Sequence, residues 1–103
     1  MYHPQQNEIF EYIRKRKAGR TFKVGVIIGY NENGVIKVGW SKCNINKDVF
    51  NPDIGLSLAK ERANKPLSPL SPPLCVQSQV RRFGARCVRY FKNANQLILP
   101  IKV

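Results

Sequence analysis

Residues 21–41 read TFKVGVIIGYNENGVIKVGWS, and this stretch decides the fold class. Phe22, Val24, Val26, Ile28 and Tyr30 alternate with their neighbours, and Ile36, Val38 and Trp40 alternate on the return. A period of two is the mark of a half-buried strand. The segment therefore predicts a β-hairpin with strands over 21–30 and 35–41. Pairing Tyr30 with Ile36, Ile28 with Val38 and Val26 with Trp40 gathers these apolar residues on one face. It leaves Glu32-Asn33-Gly34 as a three-residue connection, with glycine where a left-handed residue is needed. Lys23, Gly25, Ile27, Gly29, Lys37 and Gly39 then share the other face, where the glycines admit a second backbone or a ligand.

Working outward, residues 5–17 predict a helix. Ile9, Phe10, Tyr12 and Ile13 form its apolar side, and acid early with base late suits the helix dipole. Gly19 serves as its stop. A second helix is expected over 52–64, with Asn51 as N-cap, Pro52 at the first position and Asp53 in the first turn. Its apolar side is wide (Ile54, Leu56, Leu58, Ala59, Ala63), and Arg62 sits inside it, which calls for a partner to that side chain. Residues 65–73 hold four prolines in nine positions and predict a stiff connector. A third helix follows over 72–93, capped by Ser71. Its stripe is Val76, Val80, Phe83, Cys87, Tyr90 and Phe91, with basic residues opposite. Residues 97–103 suggest a last strand, confined to an edge by Pro100. The expected architecture is α+β: an antiparallel sheet of two or three strands with three helices, forming a single domain over 1–103.

Charge gives the partner class. Eighteen Lys+Arg stand against six Asp+Glu, a formal net of +12 in 103 residues. Six basic residues lie between Arg14 and Lys23 (Arg14, Lys15, Arg16, Lys17, Arg20, Lys23). Five more lie between Arg81 and Lys92 (Arg81, Arg82, Arg86, Arg89, Lys92). Such self-repulsion is tolerated when the partner is a polyanion. Guanidinium groups grip phosphate oxygens through paired hydrogen bonds, and no acid occurs from Gln79 to Val103.

Catalysis has little to recruit. Cys43, Cys75 and Cys87 are odd in number and contain no Cys-x-x-Cys pair, so neither a disulfide framework nor a zinc site is suggested. Cys43 follows a strand but has no histidine placed to activate it, His3 being the only one. No phosphate-binding glycine loop is present, and no apolar run approaches the ~20 residues of a membrane span. Met1–Asn7 lack the charged-then-apolar order of a secretory signal. The expectation is a soluble intracellular, non-enzymatic protein with no metal and no cofactor.

Three motifs carry a resemblance: Val38-Gly39-Trp40-Ser41-Lys42-Cys43-Asn44, Asp48-Val49-Phe50-Asn51-Pro52-Asp53-Ile54-Gly55-Leu56, and Ala59-Lys60-Glu61-Arg62-Ala63. With the basic run Arg89-Tyr90-Phe91-Lys92, they resemble a group of small uncharacterised tailed-bacteriophage proteins, over residues 20–92. The resemblance implies a virus-encoded protein in a host bacterial cytoplasm and says almost nothing of activity. Two function classes follow. The leading one is phosphate-backbone binding to nucleic acid, DNA ahead of RNA, through the eleven basic residues named above. The alternative is an inhibitor that docks on an acidic surface of a host enzyme or defence complex. A minor virion component packed against the genome is a third.

Overall fold

In the computed structural model, which describes residues 7–43, 49–63 and 72–100, two left-handed turns organise the sheet. Ala18 (φ 52°) and Gly19 (φ 78°) form one, and Asn33 (φ 54°) and Gly34 (φ 86°) form the other. Positive φ at both central positions is the type I′ pattern, whose twist matches that of flanking strands. The first turn joins strands β1 (Glu8–Lys17) and β2 (Arg20–Glu32), and the second joins β2 to β3 (Val35–Lys42). A short strand β4 (Gln96–Ile98) pairs parallel to β3, so the described sheet is mixed, in the order β1-β2-β3-β4. Helix α1 (Pro52–Ala63) and helix α2 (Leu74–Tyr90) complete an α+β structure.

Residues 8–17 are thus a strand, not part of a helix over 5–17; residues 5 and 6 lie outside the described chain. Ile9 and Ile13 face one side of the sheet and Phe10 and Tyr12 the other, each in contact with a core cluster. A strand buried on both faces shows no polar alternation, which is why Ile9, Tyr12 and Ile13 mimic helical spacing. Gly19 belongs to the turn rather than to a helix end.

The β2–β3 register also differs by one residue. Tyr30 pairs with Lys37, Ile28 with Gly39 and Val26 with Ser41, because the connection is the two residues Asn33-Gly34 rather than three. A one-residue shift moves a whole strand to the other face. Ile36, Val38 and Trp40 therefore join Ile27, Ile9 and Ile13 beneath Val76, Val80, Phe83 and Cys87 of α2. Val26 and Ile28 lie beneath Leu56 and Ala59 of α1. The sheet is covered on both sides.

The glycines set how closely each helix approaches. A Cβ on Gly39 would run into the Ala59 carbonyl and come within 2.6 Å of the Ala63 nitrogen. One on Gly29 would meet Cys87 Sγ at 2.5 Å and Phe83 at 3.1 Å. The approach allowed by these glycines is used by α1 and α2.

Helix α1 starts as expected: Asn51 Oδ1 accepts from the N–H groups of Asp53 (3.0 Å) and Ile54 (3.3 Å). It runs to Ala63, residue 64 being outside the described chain. Ile54 and Leu58 are exposed, so its apolar side is only partly covered. Helix α2 is shorter than 72–93. Pro73 precedes it with no side-chain cap, and it ends at Tyr90, where the Phe91 N–H bonds the Cys87 carbonyl. Ser71 lies outside the described residues, as does all of the 65–73 connector except Pro72 and Pro73. Phe91 is buried, but Tyr90 is exposed and leaves the core stripe. The last strand spans Gln96–Ile98 instead of 97–103, with 101–103 outside the described chain.

Candidate nucleic-acid interface

The first basic cluster is the distal half of the β1–β2 hairpin. Below it, the register passes from Ile13↔Gly25 to Arg14↔Lys23, leaving Val24 as an extra residue in a β-bulge. Above the bulge the strands pair Lys15↔Phe22, Arg16↔Thr21 and Lys17↔Arg20, and no third described strand joins them. Every residue from Arg14 to Lys23 is exposed. Arg14, Lys15, Arg16, Lys17, Arg20 and Lys23 are thus brought together on one two-stranded arm. Strand alternation divides them between its faces. At the arm's base, Lys23 Nζ lies 4.2 Å and the Arg14 guanidinium 5.9 Å from the centre of the Tyr12 ring.

The second cluster divides. Arg82, Arg86 and Arg89 fall at helical spacings of four and three, and so share one face of α2. They line a shallow depression with Gln79 and Glu11. Arg81 and Lys92 are exposed but do not line it; Lys92 lies in the turn beyond the helix. Glu11 is the anchor. Gln79 Nε2 donates to Glu11 Oε1 at 3.2 Å and to the Tyr12 carbonyl at 3.1 Å, and Arg86 Nη1 donates to Glu11 Oε2 at 3.1 Å. Arg86 is therefore partly neutralised, and Glu11 is the one carboxylate that lines the depression among the described residues. The row and the arm share strand β1: Lys15 is four residues beyond Glu11, about 13 Å along an extended strand.

Glu11, Tyr12 and Gln79 had no signal in composition. Their roles depend on strand pairing, and 5–17 taken as a helix places Arg14–Lys17 at a helix end.

Described residues of the motifs around Ser41, Phe50 and Arg62 seat α1 on the sheet. Ser41 Oγ donates to the Gly55 carbonyl at 2.7 Å, and the Phe50 ring covers Gly55 and meets Tyr12 edge-on. Arg62, the cation set in an apolar face, donates to the Trp40 carbonyl at 3.0 Å and lies 4.6 Å from the centre of its indole. Beside this seat a groove is lined by Lys42, Cys43, Val49, Phe50, Ile54 and Leu58, Val49 being 94% exposed.

Burial pushes the Cys87 thiol up to about 12, with small opposing and reinforcing effects from Arg86 and Glu11. It is a protonated apolar filler at neutral pH, while Cys75 is exposed and Cys43 half-buried. Among the described residues no group of three or more His, Cys, Asp or Glu is placed to hold a metal ion. Among them, too, no helix is long and apolar enough to cross a membrane. No protein-family model, curated protein or solved structure matches this chain.

Proposed function

We propose that this is a small basic protein that binds nucleic acid non-enzymatically, through its phosphate backbone. The observation that carries this is the arm: six cations in ten residues on a paired ribbon whose every residue is exposed. It belongs to a stretch, Tyr12–Asn31, with no acidic residue. Arg82, Arg86 and Arg89 add a second contact line on the same side of the sheet as α2. The phage-type origin and the host bacterial cytoplasm implied by the resemblance belong to the same reading.

Neutralising about five phosphates gives a slope near −4 to −5 when log affinity is plotted against log salt on duplex DNA. Electrophoretic shifts at several salt concentrations measure it. Arg82→Ala, Arg86→Ala and Arg89→Ala together weaken binding to all sequences alike, and salt-independent binding rejects the mechanism.

The second reading, inhibition of a host enzyme or defence complex, has one observation in its favour. Val49, Ile54 and Leu58 are exposed around the α1 groove and offer apolar contact area. That groove lies on the α1 side of the sheet and the arginine row on the α2 side, so one flat interface does not use both. A pull-down from nuclease-treated bacterial lysate separates the readings. A stoichiometric protein partner that survives moderate salt favours inhibition.

A further inference from the structure

Resting on that reading, we infer that the nucleic acid is duplex DNA, entered through its major groove by the 14–23 arm while the α2 arginine row holds the flanking backbone. The arm has the dimensions of that groove. Two paired strands lie about 4.8 Å apart, and with side chains they match a groove about 12 Å wide and overfill the minor groove of about 6 Å. Four paired rows extend about 10 Å, beyond the major-groove depth of about 8.5 Å. The tip is Ala18-Gly19, the two smallest side chains of the arm, so backbone reaches the base edges without steric hindrance. Cations line both flanks, where the two phosphate walls stand.

The position of α2 suits the same pose. Arg82 and Arg89 sit beside Glu11, about 13 Å back along β1 from Lys15, behind the inserted part of the arm. With the arm inserted, these long side chains extend from behind it towards the phosphates that border the groove. The arm is also preorganised: its turn is a closed type I′ turn and its base, Ile9–Ile13 with Val24–Tyr30, is anchored in both cores. Little ordering cost falls on binding.

The same geometry disfavours the other nucleic acids. A-form RNA has a deep, narrow major groove closed to such a ribbon. Single strands are held by aromatic platforms on which bases stack, and the arm offers only Phe22. Tyr12, at its base, already carries Lys23 on its ring.

The test measures fluorescence anisotropy of the full chain on duplex DNA of about 20 base pairs, on its single strand and on the matching RNA duplex, each at two salt concentrations. Methyl green, a major-groove ligand, and netropsin, a minor-groove ligand, serve as competitors. Expected are a preference for duplex DNA of about tenfold or more and displacement by methyl green but not by netropsin. The variant Lys15→Gln/Arg16→Gln/Arg20→Gln, checked for an unchanged circular-dichroism spectrum, loses the preference and flattens the salt slope by about 3. Equal affinity for single and double strands, or displacement by netropsin, overturns the groove inference while a steep salt slope keeps the backbone reading. Salt-independent binding, or binding to none of the probes, overturns both.

Discussion

The root and the tip of the β1–β2 hairpin share one antiparallel pairing and have opposite chemistry. Below the Val24 bulge, Ile9 and Ile13 pack against α2 while Phe10 and Tyr12 pack towards α1. Above it, Arg14–Lys23 are exposed and six of the ten are cationic. Burial at the root supplies the stability that holds like charges together at the tip. The division of labour is therefore written along a single pair of strands. Changes at the root are expected to alter stability, and changes at the tip to alter binding.

The largest expected effect tests the root by pH. Cys87 sits against Gly29 with its thiol raised from 9.0 to about 12 by burial. Below pH 9 both folded and unfolded chains keep this proton, and its contribution to stability is complete. Above 9 the unfolded chain loses the proton while the folded chain retains it, so stability falls until the folded thiol ionises near 12. The loss is about 1 kcal/mol per pH unit. Denaturant titrations between pH 8 and 12 measure it, and Cys87→Ala should flatten that part of the profile. An unchanged profile would mean that this thiol is not buried as described.

Gly39→Ala comes next. The added methyl meets the backbone of α1 at Ala59 and Ala63, which cannot swing aside as a side chain can. The helix must lift, at a cost of about 3 kcal/mol. Gly29→Ala presses instead on the Cys87 and Phe83 side chains and should cost less, about 1–2 kcal/mol. Urea midpoints order the two, and a reversed order would contradict the closer seating of α1.

How much of this was legible follows from which faces are wet. Helix α2 was legible in its pattern because one face is core and the other solvent: Val76, Val80, Phe83 and Cys87 repeat while Arg81, Arg82, Arg86 and Arg89 do not intrude. Strand β1 was not, because burial on both faces removes the alternation that identifies a strand. The β2–β3 hairpin was visible, yet apolar residues on both faces tolerate either register, and the turn settled it in favour of Asn33-Gly34. Both basic clusters were countable along the chain. Their geometry was not, since the arm exists only once β1 pairs with β2, and the arginine row separates from Arg81 and Lys92 only where Glu11 and Gln79 meet it.

Glu11 lies within the root, where α2 meets β1, and its replacement gives the smallest effect and the finest test. Its carboxylate holds Arg86 and Gln79 at a partly exposed site, with 28% of its side-chain surface accessible. An ion pair of this kind contributes at most about 1 kcal/mol once solvent screening is counted. Glu11→Gln keeps an acceptor for the helix side chains and should change stability by less than that. It also removes a negative charge from the depression and releases the Arg86 guanidinium. Affinity for duplex DNA should then rise, and the salt slope should steepen by up to about 0.9, the increment for one added phosphate contact. If affinity falls instead, Glu11 serves mainly to hold α2 in place, and Arg86 belongs to the root rather than to the binding surface.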